Sequence, residues 1–215
     1  MNSKIIIVFT CLMAIVAEIN AQQRECAPVM NTSLFNGKDL SSWEFYLKDQ
    51  SVDPATVFTA QSAAIHITGD PFGYMKTKLQ FTNYKLHLEW RWPAEATNSG
   101  VFLHMQQPDA IWPTCFEVQL MAGNAGDLIC MGESDAAERT DKSNRVIKKQ
   151  APSNEVAVGD WNTLEVICRG NTMEVFVNGL LQNKATGLSA SQGFICLQSE
   201  GKAIEFRKVV VTKLE

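Results

Sequence analysis

Several residue patterns on which common enzyme chemistries depend are absent from this 215-residue sequence. It has no GxSxG nucleophile elbow, no HExxH zinc motif, no P-loop and no glycine-rich dinucleotide turn. None of the six cysteines belongs to a CxxC or CxxH pair, so the sequence does not support a zinc site. With only three histidines, a histidine-based mechanism is restricted to His66, His87 and His104.

The sequence also lacks an excess of basic charge and a long polar tract. Its 19 Lys and Arg face 23 Asp and Glu, which gives a formal net charge of -4. Nucleic-acid binding requires a concentrated basic face, so nucleic acid is excluded as the expected partner. The 11 Phe and 5 Trp exclude intrinsic disorder and supply side chains for a sizeable core.

One apolar run stands at the N-terminus. Lys4 provides a positive start, residues 5–17 are apolar, and a polar exit ends at Ala21. A run of about 13 residues is shorter than the ~20 needed to span a bilayer. We therefore predict a signal peptide over residues 1–21, a short extension over 22–32, and export to the periplasm or the extracellular space. A buried N-terminal helix or strand is the alternative.

Export changes the interpretation of the cysteines, because an oxidising compartment permits disulfides. Cleavage would leave an odd number of cysteines, so at least one thiol stays free, and buried apolar packing is the default role. The sequence does not fix a pairing among the five that remain, which are Cys26, Cys115, Cys130, Cys168 and Cys196.

Beyond residue 21 the sequence has hardly any helical periodicity. Thirteen short runs rich in Val, Ile, Phe, Thr and Trp alternate with Gly, Asn, Asp and Ser. Asn178-Gly179, between two such runs, is a strong signal for a two-residue hairpin. The pattern predicts one all-β domain, a jelly roll or related sandwich of two antiparallel sheets.

Polar and ionisable side chains recur on one face of several predicted strands. If these strands share a sheet, carboxylates, amides, a histidine and an arginine line one surface beside an aromatic ring. The positions are Glu89, Arg91, Phe102, His104, Glu117, Gln119, Gln198 and Glu200. Such a mixture suits a sugar, but half-exposed antiparallel strands always present polar groups to solvent. From periodicity alone, a sugar-binding face and a plain surface remain equally good interpretations.

Segments distributed over nearly the whole mature chain are similar to a known family. In order and spacing they resemble the 3-keto-disaccharide hydrolase family, and the resemblance covers residues 33–214. The segments are 33–43, 98–104, 116–120, 154–155, 159–162, 197–201 and 204–207. The resemblance implies a concanavalin A-like jelly-roll domain over residues 33–215, with the active site on the concave sheet. The chain departs from relatives at His104, which is often Arg, and at Lys208, which is more usually Asn.

The predicted central strand carries one carboxylate. Laminarinase-like hydrolases of the same fold have Glu-x-Asp-x-x-Glu there, whereas this chain has Glu117, then Gln119, and no following acid. A retaining glycosidase needs two carboxyl groups ~5.5 Å apart. Glu89 or Glu200 can be the second only if neighbouring strands bring it close.

The 3-keto glycoside that the resemblance implies as substrate needs only one base. The ketone acidifies the hydrogen on carbon 2, and the resulting enolate expels the glycosidic oxygen from carbon 1 before water adds. Glu117 and His104 are the candidate bases, and Arg91 or a bound divalent cation such as calcium or manganese would stabilise the enolate. The residues expected to position hydroxyls, or to bind the cation through oxygen, are Glu89, Gln119, Gln198 and Glu200. A non-catalytic, lectin-like module that binds an oligosaccharide is the alternative.

Residues 132–159 form the one long irregular connection. It is far longer than the ~2–5 residues of an ordinary hairpin loop, and it carries charges of both signs. We expect it to line the rim of the substrate site and to contribute a cation, Arg145 or Lys149. A solvated surface loop is the alternative interpretation.

Overall fold

The computed structural model describes residues 30–215. The predicted signal peptide over residues 1–21 lies outside the described residues, as do Cys11, Cys26 and residues 22–29 of the predicted extension. No helix in the part that is described is long and apolar enough to cross a membrane.

Residues 30–215 form sixteen strands and one turn of 3-10 helix, Pro54–Thr56. The strands are β1 (Asn31–Ser33), β2 (Trp43–Leu47), β3 (Phe58–Gln61), β4 (Ala64–Ile67), β5 (Gly73–Thr77), β6 (Phe81–Thr82), β7 (Tyr84–Arg91), β8 (Gly100–Met105), β9 (Cys115–Gln119), β10 (Leu128–Met131), β11 (Val146–Ile147), β12 (Asn162–Arg169), β13 (Thr172–Val177), β14 (Leu180–Ala185), β15 (Gln192–Ser199) and β16 (Ile204–Lys213).

The strands pair into two antiparallel sheets. The first sheet has the order β14-β13-β12-β7-β16-β4-β3, with β1 paired to β16. The second has the order β11-β10-β9-β8-β15-β5-β2, with β6 paired to β15. The predicted all-β sandwich of two antiparallel sheets is therefore confirmed. The predicted hairpin at Asn178-Gly179 joins β13 and β14 and uses the positive φ angles that this turn requires.

The main core lies between the sheets and is built by strand alternation. Leu86, Leu88 and Trp90 of β7 face Val101 and Leu103 of β8 across it, all of them fully buried. Each such side chain contributes roughly 1.5–3 kcal/mol to the free energy of unfolding. A smaller apolar cluster lies on the other side of the second sheet. This second cluster underlies the surface on which the functional site lies.

Three strands were not predicted from the sequence: β1, β6 and β11. They have two or three residues each, too few for alternation to be visible. The strand β11 lies inside the predicted irregular connection and pairs with β10, so that connection extends the second sheet. The cysteines within the described residues, which are Cys115, Cys130, Cys168 and Cys196, are free and buried, in agreement with the packing role expected of them.

Candidate active site

One row of side chains crosses the second sheet at the level of Glu117. Glu117 of β9 lies opposite Ile129 of β10 and Phe102 of β8. Cys196 of β15 lies opposite both Phe102 and Lys76 of β5. Cross-strand partners share a face, and this one is turned away from the first sheet. We call it the site face.

A second row lies beside the first. Gln119 is opposite Gly100, and Gln198 is opposite Tyr74. The Ser99 hydroxyl donates to the Gln198 carbonyl at 3.0 Å, which brings Gln198 next to Gly100. Because Gly100 has no side chain, a hollow remains between the two amides.

The Glu117 side chain leans over this hollow. A Cβ atom at Gly100 would overlap Oε1 of Glu117 and would lie 2.8 Å from its Cγ and 2.9 Å from its Cδ. Real Cβ atoms do not approach other carbons so closely, so only glycine lets the carboxylate take this position. Glu117 is only 3% exposed. The sequence therefore places a nearly buried carboxylate on the floor of the site face.

The pKa of Glu117 is raised to about 8, mainly by burial and in part by the charge of Glu200, while the charge of Arg145 opposes the shift. No hydrogen bond contributes to this shift, unlike the case of an ordinary structural carboxylate. Burial also raises the pKa of Glu200, against hydrogen bonds from Asn98 and Gln198 and the charge of Arg145. Glu117 therefore gains and loses its proton near neutral pH, as a general acid or base requires.

The amides around the two carboxylates have unused hydrogen-bonding capacity. Gln198 donates from Nε2 to Oε2 of Glu200 at 2.8 Å, but its own Oε1 is buried and has no partner within the described residues. The Oδ1 atom of Asn98 is likewise buried and has no hydrogen-bond partner within the described residues. An unpaired buried acceptor costs about 1–3 kcal/mol. Both oxygens are therefore suited to accept hydrogen bonds from ligand hydroxyl groups.

The segment around β11 forms one wall of the site. A cavity of about 270 Å³ is lined by Asn98, Gln119, Arg145 and Lys148, among others. The long connection thus brings two cations to the site: Lys148 is paired with Asp127 at 2.8 Å, whereas the charge of Arg145 acts on both carboxylates. Lys149 instead donates from Nζ to the Gly123 carbonyl at 2.7 Å, so its amine holds a neighbouring turn.

The other wall is the loop of residues 106–114, which sequence reasoning missed. Asp109 accepts hydrogen bonds from the Tyr74 hydroxyl at 2.9 Å and from Nζ of Lys76 at 2.8 Å. Both donors stand on the site face, so the loop folds back over it. At its tip Trp112 lies beside Phe72, with 6.1 Å between the ring centroids. In the sequence, the one sign of a functional role for this loop is a tryptophan, Trp112, among turn-forming residues.

His104 is not on the site face, which corrects the prediction from alternation. It has φ 50°, and the pairing of β8 with β15 shifts register beside it. This bulge turns the ring into the core between the sheets, against Tyr84 and Phe116. Burial lowers the pKa of His104, although a hydrogen bond with the Ala190 carbonyl opposes the shift. The expected role of His104 as a base is contradicted by this placement.

Glu89 and Arg91 also require a correction, because their strand β7 belongs to the first sheet. They lie on the outer face of that sheet, on the far side of the sandwich from Glu117. Glu89 pairs with Arg207 and Lys208, and Arg91 pairs with Glu205 at 2.6 Å. Alternation identified their face correctly but could not identify their sheet. Neither residue can contact a substrate bound at Glu117.

Phe102 stands in the Glu117 row as predicted, but it is fully buried. Its ring packs edge-on against Tyr74, with 5.6 Å between centroids. It supports the floor of the site and offers no surface to a sugar. Gln119 accepts hydrogen bonds from the backbone N–H groups of Leu120 and Met121, which leaves its amide NH₂ as the end available to a ligand.

Within residues 30–215, no three His, Cys, Asp or Glu side chains come together as a metal site. A larger open groove of about 690 Å³ lies between the edge strands β2 and β3, lined by Trp43, Phe45 and Phe58. It contains none of the carboxylates and amides described above. The carboxylates and amides described above therefore lie on the site face and not in this groove.

Solved structures share this architecture. A protein of Parabacteroides distasonis ATCC 8503, assigned as a glycosyl hydrolase, superposes with a TM-score of 0.65 at 18% identity, over 86% of this chain and 94% of that one. The β-glucanase of Bacillus licheniformis superposes with a TM-score of 0.59 at 9% identity, over 89% of this chain and 100% of the glucanase. A carbohydrate-binding module of Bacillus subtilis superposes with a TM-score of 0.58 at 9% identity, over 78% of this chain and 93% of the module. These likenesses establish the predicted concanavalin A-like jelly roll.

Fold and site together define a carbohydrate-active, glycoside hydrolase-like jelly roll. No curated protein matches the sequence. The family is nevertheless clear: the chain belongs to the 3-keto-alpha-glucoside-1,2-lyase-like domain family, whose sequence model matches residues 31–212.

Proposed function

We propose that the protein cleaves the glycosidic bond of 3-keto glycosides by elimination followed by hydration, with Glu117 as the base. The observation that carries the proposal is the nearly buried carboxylate of Glu117, which has a pKa of about 8 and lies among amides on the site face, within the electrostatic influence of Glu200. The central strand has Gln119 where a retaining glycosidase needs a further acid. Elimination beside a ketone has no such requirement.

In the proposed reaction, ionised Glu117 removes the hydrogen on carbon 2 as a proton. The electron pair of the broken carbon–hydrogen bond then forms the enolate with the carbon 3 ketone. The enolate then restores the ketone, a double bond forms between carbons 1 and 2, and the bond from carbon 1 to the glycosidic oxygen breaks. Protonated Glu117 supplies the proton to the departing oxygen. Water adds to carbon 1 and a proton to carbon 2, so the net reaction is hydrolysis.

The neighbouring groups suit the negative charge that develops. Arg145 and the free NH₂ of Gln119 are the donors available to stabilise an enolate oxygen. The unpaired oxygens of Gln198 and Asn98 would accept hydrogen bonds from the sugar hydroxyl groups. Protonation of Glu117 during the reaction removes a charge from a buried position, which favours the step energetically.

The test is the substitution Glu117→Gln, which keeps the shape of the side chain and removes the base. Turnover of a 3-keto glucoside should fall about 10²–10⁴-fold. Glu89→Gln is the matched control, because Glu89 lies on the other sheet, and it should leave turnover within about twofold of the unmodified protein. Unchanged turnover in Glu117→Gln would refute the assignment. Calorimetric binding of intact glycans without any product would favour a lectin-like module instead.

We also propose that the protein is exported, on the basis of the apolar N-terminal sequence described above. Its glycoside substrate would then be met in the periplasm or outside the cell. N-terminal sequencing of the protein recovered from the extracellular and periplasmic fractions should find a chain that begins near residue 22. A chain that retains residues 1–21 and stays in the cytosolic fraction would contradict this proposal.

A further inference from the structure

The loop of residues 106–114 is held rigidly over one side of the site face. At its base, the Gln106 N–H donates to the Thr114 carbonyl at 2.9 Å. In its middle, Asp109 is bound by Tyr74 and Lys76. Lys76 is 3% exposed and the Asp109 side chain 30% exposed, so this ion pair is better shielded from water than a fully exposed surface pair. The loop is therefore held in place by a half-buried anchor.

Trp112 of this loop lies at one end of the site face, through its contact with Phe72. Ser199 lies opposite Gly73 in the last pair of the β5–β15 ladder, so Phe72 and Glu200 come directly after it, at the same end of two neighbouring strands. Trp112 packs against Phe72 at a tilt of 54°. The pair thus stands one strand away from Glu200, which accepts a hydrogen bond from Nε2 of Gln198 at 2.8 Å.

Trp112 remains 43% exposed although its loop is anchored. Because the fold leaves much of this indole ring uncovered, the ring is available to a ligand with a flat apolar face. On the adjacent strand β15, Oε1 of Gln198 has no hydrogen-bond partner among residues 30–215, in a side chain that is 1% exposed. Two independent features, an aromatic surface and an unpaired acceptor, therefore indicate a ligand over these two neighbouring strands.

We propose that Trp112 is a specificity-determining residue that stacks on the leaving group of the substrate, so that the protein prefers glycosides whose leaving group is a ring. This inference rests on the proposed function. The ring can be a pyranose or an aryl group, because both have a flat face that packs on indole. The positioning of Trp112 depends on the anchor through Asp109.

The experiment compares Trp112→Ala with the unmodified protein on 3-keto glucosides that carry a glucosyl, a phenyl or a methyl leaving group. Loss of stacking should lower kcat/KM about 3–10-fold for ring leaving groups, mainly through KM. The methyl glucoside should change less than about twofold. The glucosyl and phenyl results separate a sugar ring from an aryl ring. Trp112→Phe should restore most of the loss, and Phe45→Ala, at a ring outside the site that is 37% exposed, is the control.

Equal losses on all three substrates, or no loss on any of them, would overturn the proposed role of Trp112. If even the unmodified protein fails to turn over these substrates, the proposed function fails, and calorimetry tests the inference separately. Weaker binding of the glucosyl disaccharide by Trp112→Ala, with unchanged binding of the methyl glucoside, would still support the stacking role. Equal affinities of the two proteins for the disaccharide would refute it.

Discussion

The substitution Gly100→Ala tests the geometry of the site without altering any ionisable group. The added methyl group would overlap Oε1 of Glu117 and would lie 2.8 Å from its Cγ, so the carboxylate must leave its position. Overpacking of this kind costs about 1–3 kcal/mol. A displacement of about 1 Å at a catalytic group can reduce turnover about 10²-fold.

We therefore expect Gly100→Ala to reduce kcat/KM on a 3-keto glucoside by about 10²-fold, and to lower the Tm by roughly 2–12 °C. The control is Gly170→Ala, at a φ of +51° in the turn between β12 and β13, where a Cβ meets nothing within 4 Å. It should cost about 1 kcal/mol through backbone strain and leave kcat/KM unchanged. In a Glu117→Gln background, Gly100→Ala should cause no further loss of activity, because both changes disable the same group. Full activity of Gly100→Ala would refute the placement of Glu117.

Four further predictions concern the charged groups. Because the base must be ionised, kcat/KM should rise with pH through about 8. Folded Glu117 holds its proton between about pH 4.5 and 8 and the unfolded chain does not, so the free energy of unfolding falls as pH rises through this window. Glu117→Gln should therefore be the more stable protein above pH 8, by up to about 5 kcal/mol, and equal at pH 4; thermal unfolding monitored by circular dichroism measures this. Arg145→Ala should move the pH profile to higher pH and raise KM, whereas Lys149→Ala should leave the profile in place. Glu89→Gln should lower stability by about 1–3 kcal/mol without affecting turnover, and an inactive Glu89→Gln would contradict its placement on the other sheet.

The sequence predicts the fold well because alternation is a local property. Leu86, Leu88 and Trp90 of β7 must share a face whatever the strand pairs with, and this is enough to predict a sandwich. The same reasoning could not place Glu89 and Arg91, because the partner of a strand is decided by distant residues. Their strand pairs with β12 and β16, whose residues are more than 70 positions away.

Two features of the site could not be predicted from the sequence: the face on which His104 lies and the position of the loop that carries Trp112. A bulge at His104 reverses the expected face of that side chain, and nothing in the preceding alternation signals it. The wall that carries Trp112 depends on a bond between Asp109 and Tyr74, residues separated by 35 positions. Gly100 is visible in the sequence, but its role becomes clear only from the structure, in which the side chain of Glu117 lies over it.

The central claim is that Glu117 removes the hydrogen on carbon 2 of a 3-keto glycoside. The most direct measurement follows a 3-keto glucoside labelled with deuterium at carbon 2, by mass spectrometry of the sugar product after a short incubation, beside a protein-free blank. Elimination and hydration predict that the label is lost to water during cleavage by the unmodified protein, with neither cleavage nor label loss above the blank in Glu117→Gln. A cleaved product that retains all of its deuterium would show direct displacement at carbon 1 and would contradict the account.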